Sequence, residues 1–299
     1  MNIYMDNVDV GSRSGPNHFA KKLKKYMNLQ GDTFTFSDKF DVQISFIQKI
    51  RELAPIYQRL DGIYFNKAFD YNLQNKNILE TYKIAKGVIF QSEFNRDLTF
   101  KYFGEHSNYR IIHNGADLDY INRVETLNHV GLDKYENVWS CASSWRPHKR
   151  LGENIKYFLQ HGGEKDCLIV AGEVANHDMV INDRIHYVGD LNIETLTSLY
   201  KRSKYFIHLA YLDHCPNVVV DAAACGCQIV CSSSGGTKEV APGAIIIEED
   251  PWSFEPTLLY EPPSLDFTRK KENQSAANLD MVYVAAQYNK FLGDNNENN

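Results

Sequence analysis

The chain alternates short apolar runs with longer stretches in which apolar residues recur every three or four positions. Residues 2–5, 41–47, 59–65, 87–90 and 109–112 read as strands, and 17–29, 73–85 and 93–103 between them read as helices. Ser92 stands where its hydroxyl would cap the last of these helices. The alternation restarts after a polar joint at 122–136. Strands are predicted at 138–141, 166–171, 185–188, 205–209, 228–231 and 244–247, with helices at 152–161, 193–202 and 217–225. Apolar strands separated by amphipathic helices imply parallel sheets covered on both faces. Two such runs predict an α/β chain of two doubly wound, Rossmann-like domains. A final helix at 272–292 follows the Pro262-Pro263 pair, and the polar tail 293–299 is expected to be disordered.

Composition narrows the possible partners. With 43% hydrophobic and 23% charged residues the chain resembles an ordinary globular protein. A net charge of −6 without a dense basic block argues against nucleic acid. The N-terminus carries charge too early for a signal peptide, and no run approaches the ~18 apolar residues of a membrane span. The six cysteines sit in apolar patterns, and Cys225 and Cys227 lack the second pair of a zinc pattern. Buried free thiols in a reducing cytoplasm are the expectation. Asp117-Leu118-Asp119 reads as a helix entry rather than a metal site, and His208 as a wall residue at a strand end.

In doubly wound sheets, ligands bind outside the carboxyl ends of the strands. The informative loops fall there. Asp213 and Asp221 lie eight positions apart around a helix that Pro216 opens and Gly226 ends. Such a helix start offers free N–H groups and a partial positive charge to phosphate. The two carboxylates could hold the ends of an extended ligand with an anionic middle, which is the shape of a nucleotide-sugar. The loop after the strand at 138–141 carries Arg146, Lys149 and Arg150, and Arg146 and Lys149 are the candidates for gripping phosphate. The loop from Gly11 to Gly15 serves either as a tight turn or as a close backbone approach to a ligand. Small residues 232–237 leave room beneath the helix, and Glu239 follows at the next helix start.

These residues resemble the signature of the retaining glycosyltransferases of family four. Asp213, seven residues, then Asp221-Ala222-Ala223-Ala224-Cys225-Gly226 and Gly235-Gly236-Thr237-Lys238-Glu239 is similar to that family's paired-acid run. The basic loop 144–151, Asn114-Gly115-Ala116-Asp117, Gln91-Ser92-Glu93-Phe94 and the loop from Gly11 to Gly15 add to the likeness. The resemblance implies the GT-B fold: an acceptor domain over 1–125, a nucleotide-sugar domain over 126–271 and a crossover helix with a disordered tail over 272–299. It implies a hexosyltransferase-type enzyme moving sugar from a nucleoside diphosphate sugar to an acceptor hydroxyl on a glycan, lipid or small molecule, without metal or cofactor. Carried over residue by residue, Asp213 faces the sugar and Asp221 the ribose. Arg146, Lys149 and the N–H groups of Asn217 and Val218 hold the diphosphate. Gly11 approaches from the other domain, and Tyr187 and Val188 meet the base. Asp61 stands in for a catalytic histidine of the family's first domain. Both signature acids are Asp where the family has Glu, each shorter by one methylene. A nucleotide-sugar epimerase on the same scaffold and a catalytically silent sugar-binding protein are the alternatives.

Overall fold

In a computed structural model that describes residues 1–294 apart from Val10, Arg13, Asp38 and Ala54, the chain forms two α/β domains that face each other across a cleft. The first contains β1 (Asn2–Asp6), α1 (Gly15–Leu29), β2 (Thr33–Phe34), β3 (Val42–Phe46), β4 (Ile56–Leu60), α2 (Tyr71–Ile84), β5 (Gly87–Phe90), α3 (Glu93–Phe103), β6 (Tyr109–Ile111) and α4 (Leu118–Arg123). Its strands are all parallel, in the order β2-β1-β3-β4-β5-β6.

The second domain contains β7 (Asn137–Ala142), α5 (Leu151–His161), β8 (Asp166–Ala171), β9 (Ile185–Gly189), α6 (Ile193–Arg202), β10 (Tyr205–His208), α7 (Asn217–Ala224), β11 (Gln228–Ser232), β12 (Ile245–Ile247) and β13 (Lys270–Glu272). Its sheet runs β13-β12-β11-β10-β7-β8-β9, parallel except for the antiparallel edge strand β13. The last helix, α8 (Met281–Asp294), returns to the first domain. Its Met281, Val284, Ala285, Tyr288, Phe291 and Leu292 pack into one core with Phe19, Leu23 and Met27 of α1 and Ile3, Ile44 and Tyr57 of the sheet.

Local chemistry sets the boundaries. The Ser92 hydroxyl accepts from the Asn95 N–H at 3.1 Å and starts α3. Asp117 accepts from the Tyr120 N–H at 2.9 Å and starts α4, while Lys25 and Tyr26 hold the same carboxylate at 2.6 and 2.5 Å. The D-x-D run is therefore a helix entry.

Three predicted boundaries move. The strand expected at 59–65 is β4, which starts at Ile56 and stops at Leu60. Its Gln58 and Arg59 are fully buried, so the strand carries polar residues where an apolar run marks the others. The final helix starts at Met281 rather than 272, because Lys270–Glu272 pairs with β12 and the Asp280 carboxylate accepts from the Val282 N–H at 2.8 Å. Gly293 and Asp294 belong to that helix, and the rest of the polar tail, 295–299, lies outside the described residues.

Removing the Phe291 side chain should expose how much α8 contributes to the first-domain core. Phe291→Ala is expected to cost about 3–5 kcal/mol in denaturant unfolding, the usual range for a buried Phe. A loss within about 0.5 kcal/mol, typical of surface changes, would contradict that packing.

Candidate active site between the two domains

The carboxyl ends of both sheets open into the same cleft, a cavity of about 520 Å³. Its walls come from the start of α1 (Gly15 and Pro16), the residues following β4, β5 and β6 (Asp61, Gln91, Asn114), the loop after β7, the end of β10, and the start of α7. Of the residues singled out in the sequence, Asp61, Arg146, Lys149, Asp213, Asn217 and Val218 line it together.

The three cations of the basic loop have different fates. Arg150 adopts a left-handed backbone (φ 52°) and turns inward, where its guanidinium makes a two-point ion pair with Glu249 at 2.9 and 2.6 Å. Lys149 reaches the Asp213 carboxylate at 2.5 Å. The Arg146 guanidinium has no partner among the described residues and lies exposed on the cleft wall.

The start of α7 faces that guanidinium's cavity. Pro216 (φ −70°, ψ 120°) occupies the capping position rather than the first helical one, and no side chain caps the helix. The N–H groups of Asn217 and Val218 therefore have no acceptor within the helix, the first helical donors to find one being Val219 and Val220, on the Pro216 carbonyl. The Asn217 side chain donates to the Gly15 carbonyl of the first domain at 3.0 Å. The cleft thus sets one free guanidinium and one uncapped helix start against the same space, an arrangement suited to a diphosphate.

Asp213 is held from two sides. Its Oδ2 accepts from Lys149 Nζ and, at 2.9 Å, from His208 Nε2. Burial pushes its acidity down, but Lys149 and then His208 outweigh this and hold the carboxyl well below its usual range. Burial also lowers His208 against the opposing pull of Asp213, so the neutral ring donates its Nε2–H. The Gly235-Gly236 turn lets the loop close this tightly. A Cβ at Gly235, which has φ +77°, would lie 2.4 Å from the Asp213 carbonyl oxygen, and one at Gly236 would lie 2.1 Å from that of His214.

On the first-domain side the floor of the cleft is built on Arg59, which is 1% exposed. Its guanidinium pairs with Asp61, donates to Asn114 Oδ1 at 2.6 Å and to the Tyr288 hydroxyl at 3.2 Å, and lies 4.2 Å from the Phe19 ring centre. Asn114 in turn donates to the Cys215 carbonyl at 2.9 Å, across the cleft. Glu239 bridges the domains as well, accepting from the N–H groups of Glu93 and Phe94 at 2.6 and 3.0 Å and contacting His113 at 3.2 Å. It occupies the N-terminal end of α3, where a carboxylate is favoured.

Four of the singled-out residues do not line the cleft. Gly11 sits in an exposed turn in which its N–H donates to Asp9 at 2.8 Å, and Gly15 makes the approach instead. The Tyr187 hydroxyl is engaged by the Val180 backbone, and Val188 faces an apolar hollow beside α6 and the 127–134 segment. Asp221 pairs with Lys22 of α1 at 3.1 Å, with His18 at 3.9 Å, beside a smaller cavity between the domains. His208 is the wall residue expected at its strand end, with its ring on Asp213, whereas His214, Asn114 and Lys22 had been given no role of their own. The two histidines flank Asp213 within six residues, a spacing that was legible. The Lys22 pair spans 199 positions and was not.

A second cavity of about 410 Å³ adjoins the first and shares Asp61, Arg146, Asp213 and His214 with it. Among the described residues, no group of three or more His, Cys, Asp or Glu is placed to hold a metal ion, and no helix is long and apolar enough to cross a membrane. All six cysteines are free thiols.

Solved structures with this architecture include HepE of Anabaena in complex with UDP-glucose, at TM-score 0.69 and 14% identity over 98% of this chain and 100% of that one. The fold is GT-B. Sucrose-phosphate synthase of Thermosynechococcus elongatus (TM-score 0.67, 12% identity, 98% of each chain) shares this GT-B arrangement. So does WaaG, a glycosyltransferase involved in lipopolysaccharide biosynthesis (TM-score 0.59, 11% identity, 99% of this chain and 94% of that one). Residues 163–245 match the family model described as glycosyl transferases group 1. That stretch runs from β8 to the first residue of β12 and includes Asp213, α7 and the Gly235-Gly236 turn. No curated protein matches the chain.

Two half-buried histidines beside Asp213 give the GT-B cleft a pH signature. Burial, followed by the Lys149 charge, pushes His148 down to about 3, and burial pushes His214 down to about 4 against the pull of Asp213. In the unfolded chain both titrate at about 6.5, so below that pH the unfolded state binds more protons. Their contribution to stability is complete above about 6.5 and is lost as pH falls toward 4 and 3. Denaturant unfolding of the wild type should weaken from pH 7 to pH 4 by more than that of a His148→Asn/His214→Asn variant. Equal pH slopes in the two proteins would contradict burial of neutral rings.

Proposed function

We propose that the chain is a retaining glycosyltransferase that moves a hexose from a nucleoside diphosphate sugar to an acceptor hydroxyl, without a metal ion. The observation that carries the reading is the convergence of the free Arg146 guanidinium and the uncapped α7 start on one cavity beside the half-buried Asp213 carboxylate. The group 1 match over the same segment and the GT-B relatives, HepE with UDP-glucose among them, support it.

In this reading the diphosphate lies between Arg146 and the N–H groups of Asn217 and Val218. The bond from the anomeric carbon to the phosphate oxygen breaks, and the negative charge passes to the departing diphosphate. Fixed donors aimed at that charge need no reorganisation as it grows. The acceptor oxygen bonds to the same face of the anomeric carbon, and its proton passes to the departing phosphate oxygen. Asp213, kept ionised by Lys149 and His208, orients the sugar hydroxyls and favours the positive charge on the ring. Asp61, at the boundary with the adjoining cavity, faces the reacting sugar from the first domain. Asp221 meets the ribose once its pairing with Lys22 is shared or opened. Acceptor and donor then occupy neighbouring cavities, which favours transfer over an epimerisation that needs one substrate.

Arg146 is the cleaner probe of this reading, because removing Lys149 strands the half-buried Asp213. Arg146→Ala should lower turnover of UDP-glucose, or of another donor the wild type accepts, by about 10²–10³, as loss of one such donor group does. It should weaken donor binding in calorimetry while leaving the thermal midpoint unchanged. Wild-type binding and turnover in the variant would remove Arg146 from the diphosphate site.

A further inference from the structure

The adjoining cavity has a chemistry of its own. Its rim carries three aromatic rings that a folded chain would normally hide: Tyr64 is 49%, Phe69 52% and Tyr260 38% exposed. Tyr64 and Phe69 follow β4 in the first domain, whereas Tyr260 lies in the segment after β12, its ring stacked on His148 at 5.5 Å and edge-on to Phe69 at 6.4 Å. Three residues of the same lining, Asp61, His148 and His214, each carry a buried side-chain atom (Oδ2, Nδ1 and Nδ1) that finds no hydrogen-bond partner among the described residues.

We propose that this cavity is the acceptor subsite and that its occupant is a neutral saccharide ring, stacked on Tyr64, Phe69 and Tyr260 with hydroxyls on Asp61, His148 and His214. The proposal rests on the glycosyltransferase reading above and names its second substrate. A pyranose presents a C–H face that covers an aromatic ring and hydroxyl edges that satisfy buried donors and acceptors, so it matches both halves of the lining. A prenyl chain would cover the rings but leave the polar atoms dry and unpaired, which is costly. A flat phenol offers one hydroxyl to three such atoms. An anionic acceptor finds no free counter-charge beyond Arg146, since the other charged lining residues, Asp61 and Asp213, are carboxylates already paired with Arg59 and Lys149. Burial keeps both histidines neutral, which suits them to exchange hydrogen bonds with hydroxyls.

The shared wall places the ring next to the donor. Asp61, Arg146, Asp213 and His214 border both cavities, so a hydroxyl projecting past Asp61 enters the space where the anomeric carbon of the donor would lie. Gly62 keeps this wall thin. Its φ is +148°, and a Cβ there would lie 2.5 Å from His214 Nε2.

The test uses the full chain with saturating UDP and ligand-detected NMR. The probes are the methyl glycosides of glucose, galactose, mannose and N-acetylglucosamine, with p-nitrophenol and geraniol as competitors of other classes. At least one methyl glycoside should bind. Tyr64→Ala and Tyr260→Ala should each weaken it by about tenfold or more, as truncation of a stacked aromatic does. Tyr260→Phe, which keeps the ring, should bind as wild type, and UDP affinity should stay constant throughout. The proposal is overturned if no glycoside binds while UDP does, if p-nitrophenol or geraniol takes the site in their place, or if both alanine variants bind as wild type. Failure of UDP, GDP, ADP and dTDP alike to bind would instead remove the donor reading. Glycoside binding lost in the alanine variants would then still establish the saccharide subsite.

Discussion

Arg59 is a cation with almost no contact with water, and such a charge is tolerable only when every side of it is matched. Its partners come from everywhere the cleft needs to be fixed: Asp61 after its own strand, Asn114 after β6, Tyr288 on the returning helix α8, and the ring of Phe19 on α1. Asn114 then extends the network to the Cys215 carbonyl in the loop before α7. One guanidinium therefore ties the floor of the first domain to the C-terminal helix and, through a single amide, to the mouth of the second. Removing one partner of such a group costs about 3–5 kcal/mol, which explains why so polar a strand as β4 can sit at the centre of a sheet.

The second domain answers with its own half-buried charge. Asp213 is ionised because Lys149 and His208 surround it, and the Gly235-Gly236 turn lets its loop settle with backbone against backbone. Lys149 is paired with Asp213 and Arg150 with Glu249, which leaves Arg146 as the cation of the loop without a carboxylate partner among the described residues. Glu239 on the α3 start and Lys22 on Asp221 add ionic contacts between the domains. These pairings fix the walls of the cleft, as a site that works by fixed electrostatics requires.

Much of this was legible in the chain. Short apolar runs and period-3.6 patterns located most strands and helices, Ser92 marked the start of α3, and the run from Asp213 through α7 to Gly236 marked the second domain's half of the cleft. What escaped has a common physical cause: pairing across long separations. Gln58 and Arg59 disguise β4 because their partners lie in other elements. The Lys270–Glu272 strand is polar because it forms the sheet edge, so it reads as helix or loop. The ion pair of Asp221 with Lys22 of α1 could not be read from the chain. Gly11 and Gly15 read alike in sequence, yet only Gly15 reaches the cleft. His208 and His214 stood in plain view beside Asp213, but a histidine declares its role only through its neighbours.

The central claim is that the diphosphate of a sugar donor rests between Arg146 and the start of α7. A crystal of this chain soaked with UDP-glucose tests it most directly. The account predicts density for both phosphates within hydrogen-bond distance of the Arg146 guanidinium and the N–H groups of Asn217 and Val218, with the sugar beside Asp213. A donor lodged in the apolar hollow lined by Val188, or elsewhere with this cleft left unchanged, would contradict it.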